Sequence, residues 1–404
     1  MRGLGLALSV SASLFVCAAP EPCPGAPPPQ RKAGEQPLEF RGPGRDAPEP
    51  LVSEVVLGWF GPGDPDHPEF GGYWRGATLA LEQENAAGGY RGRPFRLEAA
   101  WSESPWKAGI LDVTRLVYAR GAWAVIGGVD GATTHLAAQL ALKSYFLLLS
   151  PGSSDLSADL ANVPWLFSLP PSDERLASAM AAAVVRAAPG ALVVVAATDH
   201  DSHAALVALR RELAGRRLAP AAVVELPAGD PDLSAVALRL LEAAPRVAAV
   251  LAPSRLGGRL AAALRAAGFD GTIVGSAPAG RTAFASAAGA AANGVQAPVW
   301  LDTQAPAWRC FADAYGRRWR DEGPDAAAAE GYDALRLAVA AIRRAGLNRP
   351  RIRDAVRALA PWRGAAGVVR WNTLGRNEPA PGVEMGVWSH GRLAVRTGVT
   401  PAPR

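Results

Sequence analysis

The chain has little cysteine and almost no lysine. Its 404 residues include 3 cysteines, and Cys310 is the only one beyond the first quarter of the sequence. A disulfide framework is therefore not expected, and the closely spaced Cys and His of a structural zinc site are missing. Nearly all basic residues are arginines scattered among acids, with a net charge of +5. A nucleic-acid surface needs clustered basic side chains, so nucleic acid is not an expected partner.

The sequence also lacks the motifs of common enzyme classes. It contains 5 histidines, and no G-x-S-x-G elbow or P-loop spacing occurs in it. Ser153 has no convincing His partner in the sequence, so a hydrolase is not favoured. The Gly61-Pro62-Gly63 turn after the first predicted strand lacks the later glycine of a dinucleotide fingerprint. We therefore expect no enzyme activity and no cofactor.

Long apolar runs are absent after the N-terminus, so the mature protein is not expected to cross a membrane. Arg2 followed by apolar residues 4–16 is typical of an export signal, which we place at residues 1–17. Two processing outcomes are open. Small residues around Cys17 allow ordinary signal cleavage, whereas residues 14–17 resemble a lipoprotein box with Cys17 as the lipidated residue. Either outcome predicts a periplasmic or extracytoplasmic protein, which in the second case is lipid-anchored.

A Pro-rich segment follows at residues 18–50. It combines many prolines with glycine and mixed charge, a composition that cannot bury enough apolar surface to order itself. We interpret it as a disordered linker between the export signal or lipid anchor and a folded body that begins near Leu51.

The body alternates predicted strands with predicted helices, which is typical of an α/β protein with parallel sheets covered on both faces. Hydrophobic residues make up 49% of the chain and charged residues 20%, enough for a sizeable core. The predicted strands are 52–60, 95–101, 122–127, 145–149, 191–197, 221–226, 247–251 and 272–275. The predicted helices are 72–84, 106–118, 135–143, 174–187, 204–214, 233–243, 257–267, 308–319 and 331–345. The alternation of strands and helices is interrupted at Pro170-Pro171 and then resumes, which predicts two lobes with a cleft between them. Ligands usually bind in such clefts.

One passage, residues 85–94, connects a helix directly to a strand. Gly88-Gly89 predicts the positive φ that ends a helix, and Gly92 with Pro94 predicts the following turn. This passage resembles the N-terminal lobe of type I periplasmic binding proteins, the branched-chain amino-acid-binding (leucine-binding) family of ABC-transporter substrate-binding proteins. Further similar segments at 331–346, 364–376 and 383–391 extend the resemblance over roughly residues 52–396.

The resemblance implies two Rossmann-like lobes with parallel sheets, joined by a hinge of three crossings near Pro170, Pro298 and Gly364. The expected boundaries are 51–171 with 299–362 for the first lobe, 172–298 with 363–396 for the second, and 397–404 for a tail. It also implies a monomeric extracytoplasmic solute-binding protein. Such a protein captures a small polar ligand (an amino acid, amide or small carboxylate) between the lobes and delivers it to ABC permease subunits. The alternative is a stand-alone ligand-sensing protein that signals through a separate partner.

The first candidate ligand loop is 126–134, between a buried strand and a helix. Free N–H groups at a helix start favour an anion, and the hydroxyls of Thr133 and Thr134 add donors. In the family this loop holds the ligand's carboxylate, usually with a Ser at the position of Gly131. We expect Asp130, Thr133 and Thr134 to contact the ligand; the alternative is that a threonine merely caps the helix.

The second candidate loop is 150–156. It resembles the family's S-P-x-x-T segment, in which backbone amides and a hydroxyl meet the same carboxylate, and Ser154 falls on the Thr position. We expect Ser153 and Ser154 to contact the ligand, with a helix-capping turn as the alternative.

The second lobe offers Asp199, His200 and His203 after a predicted strand, and Ser254 where the family often has an aromatic residue. Asp199 and Ser254 are expected ligand contacts, with a solvated helix cap as the alternative for Asp199. The two histidines and Asp199 are metal ligands by type, but nothing fixes a fourth ligand, so no metal is expected. Ala277 falls where the family supplies a Glu to the ligand's ammonium group, which puts an α-amino acid ligand in doubt.

Two aromatic residues complete the predicted site. Phe70 and Tyr73 lie in a loop and helix start after the first strand, where their rings could stack on a planar or apolar ligand. The alternative for each is core packing.

Overall fold

The computed structural model describes residues 43–102, 108–187, 191–226, 231–320, 323–379 and 382–395. The predicted export signal with Cys17, and most of the predicted linker, lie outside the described residues.

The first lobe begins with alternating strands and helices. In chain order they are β1 (Val55–Phe60), α1 (Gly71–Ala86), β2 (Phe95–Ala100), α2 (Ile110–Thr114), β3 (Ala124–Gly127), α3 (Gly131–Ser144), β4 (Leu147–Ser150), α4 (Leu156–Leu160) and β5 (Leu166–Ser168). A π-helical turn, Arg115–Ala119, continues α2. The strands pair in parallel in the order β2-β1-β3-β4-β5, and β1, β3 and β4 are buried throughout their length. Continuous apolar runs in these strands explain why helices cover both faces of the sheet.

The second lobe repeats the pattern. Its elements are α5 (Asp173–Ala187), β6 (Leu192–Ala197), α6 (His200–Gly215), β7 (Ala222–Leu226), α7 (Leu233–Leu241), β8 (Val247–Leu251), α8 (Ser254–Ala266), β9 (Thr272–Gly275), α9 (Thr282–Ala288) and β10 (Gln296–Val299). The chain then returns to the first lobe with α10 (Pro306–Arg318), α11 (Ala326–Ala345), α12 (Arg349–Leu359) and a short hairpin of β11 (Trp362–Arg363) and β12 (Val368–Val369). It ends in the second sheet with β13 (Glu384–Ser389) and β14 (Arg392–Val395).

The second sheet has the order β14-β13-β10-β9-β8-β6-β7. Strands β6 to β10 run parallel, whereas β13 pairs antiparallel with β10 and β14 antiparallel with β13. The predicted α/β fold with two lobes is confirmed, and the second sheet is mixed because the end of the chain adds a hairpin to its edge.

The last passage between the sheets lies further along the chain than the expected crossing near Gly364. Ala365 and Val369 belong to the core of the first lobe, and Ser168 of β5 forms a bridge with Arg376. Asp333 of α11 holds the hairpin by accepting the Ala365 and Ala366 N–H groups, each at 2.7 Å. Residues 363–377 therefore pack on the first lobe, and the passage follows Asn377.

The helix-to-strand turn at 85–95 has the predicted geometry. Gly88, Gly89 and Gly92 all adopt positive φ, at +97°, +62° and +79°. Asn85 closes the turn, because its side-chain amide donates to the Phe95 carbonyl at 2.8 Å and its amide oxygen accepts the Phe95 N–H at 2.7 Å. This turn sets the start of β2.

The first lobe depends on a close crossing of α1 and α11. A Cβ at Gly76 would lie 1.9 Å from the Ala328 carbonyl oxygen, and a Cβ at Gly331 would lie 2.1 Å from the Tyr73 carbonyl oxygen. Glycine at both positions lets the backbones approach, and Glu84 of α1 adds ion pairs to Arg336 and Arg343 of α11. Among the described residues, the helices are all too short or too polar to span a lipid bilayer.

Candidate functional site

The topology brings the polar loops of each sheet together. In the first sheet β1, β3 and β4 are neighbours and run parallel. The loops that follow their carboxyl ends therefore lie side by side at one edge of the sheet. In the second sheet β6, β8 and β9 are neighbours in the same way. Ligands of parallel α/β sheets bind outside the carboxyl ends of the strands, and here the two sets of loops face each other across the cleft between the lobes.

A charged cluster joins the lobes at one end of this cleft. The Glu69 Oε1 atom accepts three hydrogen bonds from the second lobe: from the Ser254 N–H at 3.0 Å, the Ser254 hydroxyl at 2.8 Å and Arg281 Nη1 at 2.8 Å. Arg281 Nη2 also donates to the Tyr73 hydroxyl at 2.9 Å. The Glu69 and Arg281 side chains are 16% and 13% exposed, so this ion pair is largely shielded from water.

The electrostatics of the cluster favour the ion pair. Removal from water acts to lower the pKa of Arg281, but Tyr73, Glu69 and other nearby acids outweigh it and raise that pKa above its usual range. Burial raises the pKa of Tyr73, so its hydroxyl stays protonated. Both lobes contribute to the cluster, and it is complete only when they are close together.

A cavity of about 330 Å³ lies beside the cluster and is lined by both lobes. Its walls carry charges of both signs: Arg75, Arg255, Arg281, Asp66, Glu69 and Asp325. Asp325 also joins the lobes, since its Oδ2 accepts the Thr282 N–H at 3.1 Å. The volume is at the lower end of the range for small-molecule sites.

Of the predicted contacts, Tyr73 and Ser254 belong to this cluster, and Phe70 lies next to Glu69. The Phe70 ring stacks on His67, with centroids 5.2 Å apart, and meets Trp101 edge-on at 6.3 Å.

The predicted loop 126–134 uses its side chains internally. Asp130 and Thr133 form a capping box on α3, in which Asp130 Oδ1 accepts the Thr133 N–H at 2.7 Å. The Thr134 hydroxyl lies 3.0 Å from the Gly128 carbonyl and 3.0 Å from the Ser150 hydroxyl. Both threonines are fully buried, so the structure gives them the helix-capping and packing roles that the sequence left as an alternative.

The first N–H group of α3, which has no acceptor within the helix, is bound by another part of the chain. Asp201 of α6 accepts the Gly131 N–H through its Oδ1 at 2.8 Å. Removal from water and the nearby Asp130 raise the pKa of Asp201 well above its usual range. The carboxyl group of Asp201, from the second lobe, thus occupies the helix start at which the sequence predicted a ligand anion.

The two serines of loop 150–156, Ser153 and Ser154, have different surroundings. Ser154 donates to Asp173 of α5 at 2.5 Å, whereas Ser153 is fully buried and its hydroxyl has no partner within the described part of the chain. Arg376, 2% exposed, holds this loop in place. It donates to the carbonyls of Ser153 and Asp155 and pairs with Asp159 at 2.5 Å.

Between the lobes, Asp155 contacts two histidines. Its Oδ2 lies 2.9 Å from His135 Nε2 of α3 and 2.7 Å from His200 Nε2 of α6. Burial works to raise the pKa of Asp155, but hydrogen bonds from His135, His200 and Ser157 together hold it well below its usual range. Asp199 and His203, which the sequence grouped with His200, are exposed and outside this cluster; Asp199 caps α6 by accepting the Ser202 N–H.

Sequence reasoning missed Glu69, Arg281, Asp155, His135 and Asp201. Each belongs to a contact between residues at least 20 positions apart, which periodicity and spacing do not reveal. One signal was available: the resemblance led us to expect an acid at Ala277, and Arg281 follows four residues later.

Two α/β lobes with a polar cleft are the architecture of a periplasmic binding protein, and the chain belongs to the periplasmic binding protein family, whose model matches residues 63–380. It is similar in structure to the branched-chain amino acid transporter substrate binding protein LivJ from Streptococcus pneumoniae, solved with isoleucine: 21% identity, a TM-score of 0.77, and coverage of 84% of this chain and 97% of that one.

A second similar structure is a solute binding protein of an ABC transporter from R. palustris in complex with benzoate. Its identity is 15%, its TM-score 0.75, and the match covers 85% of this chain and 95% of that one. An amino acid binding protein from Pseudomonas aeruginosa is 33% identical over 105 residues, 26% of this chain. This chain spans only 28% of that relative's length.

Proposed function

We propose that the protein is the extracytoplasmic solute-binding component of an ABC transporter. A small polar ligand is held in the cleft between the lobes, and the closed form delivers it to permease subunits. The family, which consists of solute-binding proteins, supports this proposal. The observation that carries it is the cluster of Glu69, Ser254 and Arg281, because lobe closure assembles a largely buried polar site from both lobes.

The ligand class follows from the donors in that cluster. The Ser254 N–H, the Ser254 hydroxyl and the Arg281 guanidinium all point at one carboxylate oxygen, that of Glu69. The same three donors suit a carboxylate of the ligand, which would displace Glu69. Charge-assisted hydrogen bonds of this kind are the stronger ones in proteins. We therefore place small carboxylates first within the class of amino acids, amides and small carboxylates.

Binding acts through the position of the lobes. A ligand that contacts both lobes binds the closed form more tightly, so it shifts the open–closed equilibrium by the difference between its two affinities. Closure also removes water from Arg281 and strengthens its contacts.

The first experiment is a thermal-shift screen followed by calorimetry. Amino acids, amides, and aliphatic and aromatic carboxylates are offered to the protein. We expect one class to raise the melting temperature, and we expect Arg281→Gln to lose that response. Arg317→Gln is the control, because Arg317 is exposed on α10. A screen without any binder, or a ligand bound equally well by Arg281→Gln, would contradict the proposed site.

Delivery needs a separate measurement. The ABC permease encoded nearest to this chain in its source genome is reconstituted in vesicles. The ligand-loaded protein should stimulate its ATPase more than the ligand-free protein does. Equal ATPase rates with a ligand that binds would rule out transport through that permease and favour sensing.

A further inference from the structure

The cluster of two histidines and one aspartate between the lobes has no role in the proposed capture of a solute. It consists of His135 on α3, Asp155 at the start of α4 and His200 at the start of α6. The first two belong to the first lobe and the third to the second. One ligating atom from each side chain, the two Nε2 atoms and a carboxylate oxygen, lies within 4.8 Å of the others.

We propose that His135, Asp155 and His200 bind one divalent transition-metal ion of the zinc type, and that this ion joins the two lobes. Two imidazole nitrogens and one carboxylate oxygen are a donor set that zinc prefers, with a fourth position left for water or another ligand. Ligands of tetrahedral zinc lie roughly 3.3 Å apart, as bonds of about 2 Å dictate. The observed separations of 2.7 and 2.9 Å need to widen by about 0.4–0.6 Å to reach this value. The two Nε2 atoms lie within 4.8 Å of each other, so they are the pair that approaches when an ion binds.

The surroundings hold the carboxylate and leave the histidines accessible. Asp155 Oδ1 accepts the Ser157 N–H at 2.8 Å, which leaves Oδ2 for the cluster, and Arg376 holds the Asp155 carbonyl at 3.0 Å. Asp155 is 4% exposed, whereas the His135 and His200 side chains are 26% and 38% exposed, so an ion reaches the site from solvent. Partners that orient a ligating group raise the affinity of metal sites.

Ser157 supplies a further oxygen beside the site. Its hydroxyl lies 2.8 Å from His135 Nε2, close enough to hold a metal-bound water or to act as the fourth ligand. Two further acids nearby are engaged elsewhere: Asp201 accepts the Gly131 N–H, and Asp130 accepts the Thr133 N–H. The site thus combines three strong ligands with one weaker oxygen.

The lobes can reach this arrangement because residue 131 has no side chain. A Cβ there would lie 2.9 Å from the Asp155 Cβ atom, 2.9 Å from His200 Cδ2 and 2.5 Å from Asp201 Oδ1. Since His200 reaches the other two ligands only in the closed arrangement, the ion binds that arrangement selectively. By linkage, metal and solute then raise each other's affinity by the same factor.

The test is a zinc titration of the tag-free full chain against a chelating indicator. We expect one equivalent of Zn²⁺ to bind. His200→Ala and His135→Ala should each weaken binding by about 100-fold or more, because even the loss of an outer partner costs about 10–100-fold. His203→Ala is the matched control, since His203 is exposed on the same helix as His200 and outside the cluster. It should bind as the unchanged chain does.

A second variant separates metal binding from a plain ion pair. His200→Gln keeps a side-chain N–H that can donate to Asp155 but removes the imidazole ligand. With the unchanged chain, Zn²⁺ should raise the melting temperature and lower the radius of gyration in solution scattering. With His200→Gln both effects should disappear, while the melting temperature in EDTA stays close to that of the unchanged chain.

Three outcomes overturn the proposal: no tight Zn²⁺ binding by the unchanged chain, full binding by both His200→Ala and His135→Ala, or a Zn²⁺ response that His200→Gln retains. The two alanine variants lie on different lobes, so misfolding of one leaves the other as a test. Failure here leaves the solute screen unaffected, because that screen depends on Arg281.

Discussion

The loops of the cleft are held by charged side chains removed from water, and Arg376, which is 2% exposed, is one of them. Its guanidinium pairs with Asp159 and contacts the carbonyls of Ser153, Asp155 and Pro170. One side chain therefore supports the loop that carries both Ser153 and Asp155. Removing one member of a buried pair leaves the other charge without compensation. Replacing Arg376 or Asp159 alone should therefore lower the free energy of unfolding more than replacing both.

We expect Arg376→Met to lower the free energy of unfolding by about 3–5 kcal/mol. Urea unfolding followed by circular dichroism measures it. Adding Asp159→Asn should restore part of the loss. The control Arg363→Met, at an exposed position, should change stability by about 0.5 kcal/mol or less. A double variant less stable than Arg376→Met would refute the pairing.

Asp333 makes stability depend on pH. Burial raises its pKa from 3.8 to about 7, despite the two N–H groups that its carboxylate accepts. The unfolded chain loses this proton near pH 4 and the folded chain near pH 7, so the folded state binds more protons between these values. Stability from this group is therefore full below about pH 4 and is lost progressively as the pH rises to about 7.

Asp333→Asn should flatten this dependence. Between pH 5 and pH 8, the unfolding free energy of the unchanged chain should fall more steeply than that of the variant, by up to about 3 kcal/mol. Urea unfolding at the two pH values measures the difference. Asp313→Asn, exposed on α10, should keep the slope of the unchanged chain. Equal slopes for Asp333→Asn and the unchanged chain would show that Asp333 does not titrate in this range.

At the scale of elements, local patterns were informative and pairings were not. The turn at 85–95 could be predicted because glycine and proline act locally through their backbone preferences. Helix α3 begins four residues before the predicted start, because Asp130 caps it at a position that we had assigned to ligand binding. The antiparallel β13 and the close approach of α1 to α11 depend on residues far apart in the chain, and no local pattern reports such contacts.

The crossing of α1 and α11 should tolerate no added methyl group. Gly76→Ala or Gly331→Ala places a Cβ about 2 Å from a backbone oxygen, so the helices must separate. We expect a loss of about 1–3 kcal/mol or more in unfolding free energy. Gly316→Ala on α10 is the matched control, because nothing lies within 4 Å of its Cβ and alanine favours helix. It should be neutral or stabilising, and equal losses at all three positions would argue against a specific crossing.

For the whole molecule, the relation between the lobes decides function, and the sequence predicted it only in outline. Two lobes and a cleft followed from the alternation of strands and helices and from the family resemblance. The side chains that meet across the cleft did not follow: Glu69 and Arg281 are 212 residues apart in the chain. The missing Ser at residue 131 looked like a lost ligand contact. In the structure, residue 131 is the position where a side chain would keep the lobes apart.

Gly131→Ala should therefore oppose closure while leaving each lobe folded. We expect the affinity for the solute found in the screen to fall by about 10-fold or more, equivalent to about 1.4 kcal/mol. Calorimetry measures the affinity, and solution scattering should show a larger radius of gyration at saturating solute. Gly215→Ala, at the end of α6 with open space around it, should leave both values unchanged. An unchanged affinity in Gly131→Ala would mean that solute binds without this approach of the lobes.

The order of the elements along the chain also bears on when the protein can fold. The core of the first lobe needs α11, about 240 residues after α1, and the edge of the second sheet needs β13. Neither lobe can complete its packing while the last part of the chain is still being synthesised. Contacts over such distances form slowly. A chain arranged in this way reaches its final compactness only when its last strands are available for packing.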